Sequence, residues 1–526
     1  MRQATGLKMP RADKTLNAAV VQSTIGKAGT GLRDETIPQT LSQKKPLMLS
    51  IISRWRRKAP LFRADIGSWI AALLLFASPR LLATTATFNV RDYGATGDGR
   101  TLETHAINAA IDACANSGGG TVYVPPGRYL TGTIQIKSHV TFEIGAGAMI
   151  LGSENIDDYP AMENPWGKLD PRTDWISPLI YAVDAENIAV TGRGTIDGQG
   201  AIWWRRVELN NPKKYPPGPQ NDAERADAAL LIRGRPNLIR FLRCKDVVIE
   251  DVNIRNSPAW NIHPLLCDQV RVEDVTITNP PALGHNTDGI DPESCRNVQI
   301  LNCRIDTGDD GITLKSGLDA AGRAMARPCE DITIANCVVY HAHGGVTIGS
   351  EESGGVRNVT VSNCVFQGTE NGIRIKAQRG RGGVVEGICV NNIVMQDVPT
   401  PFTITSFYMG SDKPGDVYPV DEGTPVFRDM LFSNITARGA TNAGSITGLR
   451  EQAIQDVTFD NVHIQSKKGF AITNASGVVF LDSIIDTAAG PAVMLKNATD
   501  IDVARLRTRA PHQDAPLVQN EDAIGR

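Results

Sequence analysis

One pattern recurs along this chain: Val298-Gln299-Ile300-Leu301-Asn302-Cys303-Arg304-Ile305 returns as Ile332-Thr333-Ile334-Ala335-Asn336-Cys337-Val338-Val339. Apolar and polar side chains alternate with a period of two, and Asn, Asp or Gly bounds each run, so each copy predicts short strands joined by turns. Steps of 23, 28, 34, 27 and 29 residues, within the range of solenoid repeats, separate the first apolar residues of six copies, namely Val247, Val270, Val298, Ile332, Val359 and Ile388. The chain therefore predicts a stack of similar turns.

A single such turn cannot bury its apolar face. Stacking turn upon turn gives a continuous core with parallel ladders between equivalent strands, and parallel connections are right-handed as a rule. We therefore expect an all-β fold, a right-handed parallel β-helix, with weaker copies continuing at 430–435 and 457–464. A leucine-rich solenoid is the rival, but its leucine spacing and its helical half are missing. The amphipathic stretch 105–115 is expected to cap the N-terminal end, where strand edges would otherwise be exposed.

The first 86 residues differ from the rest of the chain. A basic cluster at 54–58 precedes the apolar stretch 66–78, and small residues follow it, which is the layout of a secretory signal. The apolar stretch is short for a membrane span, and an uncleaved anchor is the alternative. A start at Met48 would give a signal peptide of ordinary length. We expect a leader and signal peptide over 1–86 and a parallel β-helix domain over 87–526, found in the periplasm or secreted, as a monomer with no stable membrane partner after cleavage.

The balance of charge changes once the leader is set aside. The leader holds 14 of the 54 Lys and Arg but only 4 of the 57 Asp and Glu, which leaves 40 basic against 53 acidic residues and a formal charge of −13. A body this acidic is a poor general binder of nucleic acid or of an anionic membrane. Cations grouped on one face of it, such as Lys315, Arg374 and Lys376, are better explained by an anionic substrate. For Arg379 and Arg381 a solvated basic loop fits equally well.

The nine cysteines are expected to be structural. Three of them occupy the same place in successive repeats and should stack inward as small apolar residues, namely Cys303, Cys337 and Cys364. The chain has no Cys-x-x-Cys pair and no Cys/His metal spacing, which argues against zinc. After export, Cys295 with Cys329, or Cys267 with another cysteine, could form a disulfide, and the sequence does not fix the pairing.

Polar motifs recur at a second point of the repeat, between the apolar runs. They supply three aspartates, a histidine and two cations, in Asn286-Thr287-Asp288-Gly289-Ile290-Asp291, Gly308-Asp309-Asp310-Gly311, His343-Gly344-Gly345 and Arg374-Ile375-Lys376. Carboxylates stacked on one wall repel one another, and such an electrostatic cost is normally explained by a reaction. This cluster is therefore the candidate active site. The alternative is that Asp288 and Asp291 are turn caps, which suits Asp291 better.

These four motifs, in this order on a repeated β-fold, resemble glycoside hydrolase family 28, the polygalacturonases and their relatives. The resemblance runs from about Phe88, through Asp92-Tyr93-Gly94-Ala95, to at least Tyr408. Two departures from the family pattern, Gly311 and Ala342, remove no functional side chain. The resemblance implies a single-stranded solenoid of the pectin lyase type. It also implies hydrolysis of α-1,4 bonds between galacturonic acid units of a pectic poly- or oligosaccharide, with no cofactor and no metal.

The resemblance assigns catalytic roles to four residues. It implies that Asp309 is the general acid, and that Asp288 and Asp310 position a water that attacks with inversion. A water-mediated attack of this kind calls for carboxyl groups roughly 6.5–9.5 Å apart. His343 would tune the proton affinity of the acid and its hydrogen-bond network.

Five further residues are expected to bind substrate. Arg374 and Lys376 share one face of a strand at i and i+2, as two cations gripping one uronate carboxylate should. The resemblance places them on the leaving-group side of the cleaved bond. Tyr408 matches a family tyrosine near that subsite, although a core tyrosine is the alternative. Asn286 and Lys315 complete the predicted set.

Loops bear on the mode of action. Three segments resemble exo-acting bacterial members, 257–264, 317–328 and 380–383, and a polar, Pro-rich insertion at 199–229, with Trp203 and Trp204, is long enough to wall off one end of a groove. We therefore expect exo action, with endo-polygalacturonase and rhamnogalacturonan or xylogalacturonan hydrolase as alternatives. Outside the family, a pectate lyase would need a calcium–carboxylate site and an arginine or lysine base. A non-catalytic β-helix would lack the carboxylate cluster.

Overall fold

The computed structural model describes residues 86–172, 175–410, 412–509 and 517–520. Residues 1–85 of the predicted leader lie outside this part of the chain, so the signal peptide, the start at Met48 and the cleavage stay predictions. Among the described residues, no helix is long and apolar enough to cross a membrane.

Short strands make up the first turns of the described chain: β1 (Thr87–Asn89), β2 (Asp98–Leu102), β3 (Gly120–Val124), β4 (Gly127–Thr131), β5 (Ile134–Gln135), β6 (Val140–Ile144), β7 (Ala148–Gly152), β8 (Ile180–Val183), β9 (Glu186–Thr191) and β10 (Thr195–Asp197). The middle turns hold β11 (Ile239–Leu242), β12 (Lys245–Glu250), β13 (Asn253–Arg255), β14 (Ile262–Leu265), β15 (Asp268–Glu273), β16 (Thr276–Thr278), β17 (Arg296–Leu301), β18 (Arg304–Asp306), β19 (Ile312–Leu314), β20 (Cys329–Ala335), β21 (Val338–Tyr340) and β22 (Gly344–Ile348). The last turns hold longer strands that bend from one sheet into the next: β23 (Val356–Gln367), β24 (Asn371–Lys376), β25 (Val384–Gln396), β26 (Thr400–Thr405), β27 (Val426–Phe427), β28 (Met430–Thr447), β29 (Ile454–Leu481), β30 (Ile484–Thr487), β31 (Val493–Thr499) and β32 (Val518–Asn520).

Helices occur only between the strands of the described chain. The α-helices are α1 (Thr104–Asn116), α2 (Ala201–Asn210), α3 (Asp222–Ala229) and α4 (Asp319–Met325). Single 3-10 turns lie at Val90–Tyr93, Ile156–Asp158, Gly167–Leu169 and Leu230–Arg233. Helix α1 buries Ile107, Ile111 and Cys114 against β1, β3, β5 and β6. It lies where the sequence predicted a capping helix.

The strands form a right-handed parallel β-helix, as the repeat predicted. Each of the six predicted repeat starts lies directly beside the next in a parallel ladder, Val247, Val270, Val298, Ile332, Val359 and Ile388. The ladder continues to Met430 and Val457, which confirms the two weaker copies. The side chains of the ladder are buried, so one register places the same apolar position of every turn in a common core.

Asparagines hold the corner between two strands of each turn. Asn302, Asn336 and Asn363 have φ of 56, 59 and 57°, the left-handed region that Asn tolerates better than most residues. The amide of Asn336 donates to Asn302 Oδ1 at 3.1 Å, so the corner residues also bond from turn to turn. The "Asn-Cys" corner in the repeated sequence is thus a backbone requirement.

All nine cysteines are free thiols. Cys303, Cys337 and Cys364 are buried in equivalent positions, as predicted. Cys295 donates to the Pro264 carbonyl at 3.2 Å and Cys329 to the Pro292 carbonyl at 3.5 Å. The disulfide that the sequence left open is therefore absent, because these thiols are used one by one to satisfy backbone carbonyls.

One face of the solenoid matters for function, and we call it sheet C. It runs through β5, β8, β11 and β14, which form parallel pairs. Single pairings Ile262–Ile290 and Ile290–Ile312 carry it on to β19. From there it continues through β22, β24 and β26 to the ends of β28 and β29 and to β31. Side chains of sheet C alternate between the core and its outer face.

Candidate active site

The candidate motifs meet on the outer face of sheet C, at the start of its middle strands. Backbone hydrogen bonds stack them: Gly289 N–H donates to the Asp310 carbonyl, and His343 N–H donates to the Asp309 carbonyl, both at 2.9 Å. A Cβ at Gly289 would lie 2.3 Å from the Gly311 carbonyl oxygen. Only glycine lets these two turns approach so closely. The repeat thus brings together carboxylates that lie far apart in sequence.

The three predicted catalytic aspartates converge. Asp288, Asp309 and Asp310 each offer one carboxylate oxygen, and these oxygens lie within 4.8 Å of one another. These oxygens lie nearer to one another than the roughly 6.5–9.5 Å expected between the carboxyl groups. The reason is the strand stacking, which fixes neighbouring turns about 4.8 Å apart.

His343 and Asn286 contact the predicted acid. His343 Nδ1 lies 3.0 Å from Asp309 Oδ1, and Asn286 Nδ2 donates to Asp309 Oδ2 at 3.2 Å. Asn286 is held in turn by Arg235, which donates to its Oδ1 at 2.7 Å. The side chain of Asp309 is 18% exposed, more than the 6% of Asp288 and the 1% of Asp310. Among the three carboxylates, Asp309 is therefore the one most open to a substrate.

Arg374 and Lys376 point to the same carboxylate, that of Asp310. Lys376 Nζ lies 2.6 Å from Asp310 Oδ2, and Arg374 lies 3.3 Å from Oδ1, which also accepts from Thr347 Oγ1 at 3.0 Å. Tyr408 completes the group, with its ring 4.6 Å from Lys376 Nζ and 5.3 Å from the Arg374 guanidinium. Tyr408 is half-buried and faces these cations, so the alternative of a core tyrosine is wrong.

Lys315 lies beneath the carboxylates. Its Nζ is 3.7 Å from Asp288 Oδ2, 3.9 Å from Asp291 Oδ1 and 3.2 Å from Glu351 Oε2, and it sits over the Trp260 ring at 4.5 Å. It is buried and surrounded by acids of the protein itself. The turn-cap interpretation of Asp291 is wrong, because both of its oxygens are buried without a hydrogen-bond partner and face Lys315.

The electrostatics give the acids unequal proton affinities. Burial, followed by repulsion from Asp309, raises the pKa of Asp288 to about 8. Burial opposes ionisation of Asp309 as well, but the hydrogen bond from His343 and its charge outweigh burial and lower the pKa of Asp309 to about 2. The same bond raises the pKa of His343. In the free enzyme at neutral pH, Asp288 therefore holds a proton and Asp309 is ionised.

A cation could share the three aspartates by distance alone, and they are the one group of this kind in the described residues. The protein's own cations already lie close to this group, because Lys315 contacts Asp288 and Lys376 contacts Asp310. These two lysines offset part of the negative charge of the group.

Beside the aspartates, on the N-terminal side, lies a pocket of about 240 Å³. It is basic and aromatic, with Arg172, Arg235, Arg240, Trp175, Trp260 and Asn286 in its lining. The guanidinium of Arg240 lies 4.8 Å from the Trp175 ring. His263 forms part of the base and is fixed by Glu293, with Nε2 and Oε2 2.9 Å apart. Guanidinium groups suit carboxylates, and indole rings suit the apolar face of a sugar.

Beyond this pocket the outer face of sheet C is covered. The covering segment consists of residues 154–172 and 175–179, between β7 and β8. Its Met162, Trp166 and Trp175 pack in an apolar cluster on outward side chains of sheet C, namely Tyr181, Val183, Leu242 and Leu265. This cluster lies apart from the main core, and no sequence periodicity marked it.

The insertion 199–229 folds into α2 and α3. Trp203 and Trp204 are buried and anchor it, and Trp204 Nε1 donates to the Ser257 carbonyl at 2.9 Å. Between the helices, Tyr215 packs on His285 with ring centroids 4.5 Å apart. A hydrogen bond with Tyr215 raises the pKa of Lys214, and the charges of Asp309 and Tyr408 add smaller contributions. Through Tyr215 and Lys214 the insertion therefore lies on the side of the three aspartates.

Comparison with known proteins agrees with this geometry. The family model described as "Glycosyl hydrolases family 28" matches residues 114–487. The chain belongs to this family. It is 32% identical to a probable polygalacturonase of Vitis vinifera over 71% of the chain and 73% of that protein. It is 27% identical to an exo-poly-alpha-D-galacturonosidase of Dickeya chrysanthemi over 76% and 70% of the two chains.

A solved structure gives the same result. The hyperthermoactive exopolygalacturonase of Thermotoga maritima is 32% identical in sequence to this chain, with a TM-score of 0.63. The two structures match over 75% of this chain and 92% of the Thermotoga chain. The resemblance inferred from the four motifs is confirmed, and this family 28 protein is a glycoside hydrolase.

Replacing Asp288, Asp309 or Asp310 by Asn should lower kcat by about 10² or more, the usual scale for lost acid–base assistance. Asp306→Asn is the matched control, since Asp306 ends β18 and contacts His341 instead of the cluster. The measurement is release of reducing ends, with thermal melting to check folding. A well-folded variant of the three with near-normal turnover would remove that residue from the mechanism.

The pH profile should report the shared proton. If Asp309 donates a proton and Asp288 accepts one, activity needs one proton on this pair, so kcat/KM should fall as pH rises through about 8, the pKa of Asp288. The acidic limb of the pH profile marks the binding of a second proton to this pair, at Asp309. His343→Gln removes the bond that lowers the pKa of Asp309, so this limb should move to higher pH. The control His341→Gln should leave it in place, and an unmoved limb in His343→Gln would contradict the assignment.

Proposed function

We propose that this family 28 glycoside hydrolase is an exo-acting polygalacturonase, which cleaves α-1,4 bonds at the non-reducing end of polygalacturonate with inversion. The observation that carries the proposal is the basic pocket beside the aspartates, next to the covered part of sheet C. The relatives named exo-poly-alpha-D-galacturonosidase and exopolygalacturonase support the same substrate. Export, as the leader over 1–86 predicts, and action as a monomer belong to the proposal.

The substrate class follows from charge. Residues 87–526 are acidic as a whole, yet Arg172, Arg235 and Arg240 meet at the pocket and Arg374 and Lys376 meet across the carboxylates. Cations on both sides of the scissile bond suit a polymer with a carboxylate on every unit. A neutral sugar would offer these cations no charge-assisted contact.

The exo mode follows from the covering segment. A polysaccharide that runs along sheet C would collide with Trp166 and Trp175, because they pack on the face that it would need. A chain terminus can enter the pocket, whereas the interior of a chain cannot. The volume of about 240 Å³ suits release of a mono- or disaccharide. The insertion 199–229, which the sequence predicts to wall off one end of the groove, contacts the site region through Tyr215 and His285.

The first chemical step needs a proton at the glycosidic oxygen. Asp309 is the most exposed of the three carboxyls, so it is placed to donate that proton. In the free enzyme the proton lies on Asp288, and the short separation of the carboxylates allows it to pass to Asp309 through one water when sugar displaces the remaining solvent. Binding of the chain terminus therefore places the proton on Asp309.

The attacking water lies between Asp288 and Asp310. Two oxygens up to 4.8 Å apart can both accept from one water at ordinary hydrogen-bond lengths. Asp310 is held by Lys376 and Arg374, so its orientation is fixed. The deprotonated Asp288 takes the water's proton, the water oxygen bonds to the anomeric carbon, and the leaving sugar departs with the proton of Asp309. The two aspartates are thereby reset.

Product analysis tests the exo mode. If a chain end must enter the pocket, early products from polygalacturonate are mono- or disaccharides and viscosity falls slowly for each reducing end released. Trp175→Ala opens the cover and should lengthen the early products. Met325→Ala, at an exposed position of α4, is the control. A rapid drop in viscosity with early release of mixed oligomers would contradict the exo assignment. Unsaturated products that absorb in the ultraviolet would indicate a lyase.

A further inference from the structure

The outer face of sheet C continues well beyond the catalytic turn, on the leaving-group side. One register position can be followed from turn to turn along it, through Lys376, Thr405, Thr447, Thr473 and Lys496. The residues just before them are Ile375, Ile404, Ile446, Ile472 and Leu495, of which the four isoleucines are fully buried in the core. Because side chains alternate along a strand, the position of Lys376 and Lys496 faces outward on every turn.

Between these two lysines the face is lined by small side chains. Thr403 pairs with Ser445, and Thr405 pairs with Thr447, in the same register. All four are half-buried, so no segment of the described chain covers them fully, in contrast to the covered face near Trp166. Hydroxyl groups on a shallow floor can donate to and accept from the hydroxyls of a sugar chain.

The floor leads to a cavity of about 510 Å³, lined by two cations and several polar groups. Arg450 and Lys496 are both exposed there. The walls are fixed by amides: Asn474 Nδ2 donates to the Gly448 carbonyl at 2.7 Å and to the Pro414 carbonyl at 3.0 Å. Asn497 Nδ2 donates to Asn474 Oδ1 at 2.8 Å. The cavity is thus part of the folded wall and not a gap between mobile side chains.

The spacing matches a pectic chain. Four turns separate Lys496 from Lys376, and at about 4.8 Å a turn this is about 19 Å. A 1,4-linked uronate unit advances the chain by a length similar to one turn, so four turns correspond to about four units. Each unit carries one carboxylate. A chain that places one carboxylate at Lys376 therefore carries another to the cavity.

We infer that Arg450 and Lys496 form a distal subsite, which binds a uronate carboxylate about four units beyond the one held at Arg374 and Lys376. The inference rests on the proposed function, since it takes the substrate to be polygalacturonate. The enzyme then has a short pocket for the terminus and a long open floor for the polymer that it leaves behind. Long chains bind better than short ones for this reason.

Oligogalacturonates of three and of eight units test the distal subsite. A trimer fills the pocket and the first leaving-group subsites, whereas an octamer also reaches the cavity. In the double variant Arg450→Gln/Lys496→Met, kcat/KM for the octamer should fall about 3- to 10-fold, the scale of charge-assisted contacts at a partly exposed site. The value for the trimer should not change. Lys245→Met, an exposed lysine on β12 away from sheet C, is the matched control and should change neither.

Each outcome decides between the two claims. An unchanged octamer value in the double variant, or an equal loss on trimer and octamer, overturns the distal subsite and leaves the proposed function intact. If the wild-type enzyme cleaves neither oligomer, the proposed function fails. Binding can also be measured without turnover, in an Asp309→Asn background. There the octamer should bind more weakly by a similar factor when both cations are replaced. Its binding should also become less sensitive to salt.

Discussion

In-register stacking of equivalent positions is the constraint on which the rest of this molecule depends. Each turn must return to the same point about 4.8 Å above the last, so a side chain has its counterpart directly above and below it. Inward positions then form apolar ladders such as Val298 on Ile332. Outward positions form functional ladders by the same rule. The corner residues, such as Asn302, carry the backbone cost of turning at the same place each time.

The active site shows what this constraint costs and how the protein offsets it. Stacked turns force Asp288, Asp309 and Asp310 closer together than isolated carboxylates would remain. Lys315 below them and Lys376 beside them supply compensating charge, and His343 stabilises the ionised form of Asp309. The result is a cluster in which Asp288 keeps a proton while Asp309 is ionised. Such an uneven distribution is what acid–base chemistry at one bond requires.

Regular features were predictable from the sequence, because the repeat fixes them. The alternation at Val298 and Ile332 predicted the ladder, its direction and the inward cysteines, and the four motifs predicted which carboxylates would meet. Interactions between different turns were not predictable. Asp291 was taken for a turn cap because its partner Lys315 lies in another motif. The distance between the aspartate oxygens depends on how closely the turns stack, which the sequence does not give.

Loops escaped prediction for a related reason. Segment 154–179 has no period, so nothing marked Trp166 and Trp175 as the cover of sheet C, whereas the Pro-rich composition of 199–229 drew attention to a segment that flanks the cleft. The alignment of Lys376 with Lys496 at one register position was equally hard to predict, because the lengths of the repeats between them vary. Register had to be read from the strand pairing before the two lysines could be aligned.

The central claim is that Asp288 and Asp310 hold a water that attacks the anomeric carbon directly, so that no covalent bond forms between the enzyme and the sugar. The anomeric configuration of the first product, followed by proton NMR during hydrolysis of an α-linked oligogalacturonate, tests it most directly. The account predicts that the new reducing end appears first as the β anomer and equilibrates to the α anomer later. Initial release of the α anomer would contradict it and would indicate a covalent glycosyl–enzyme intermediate.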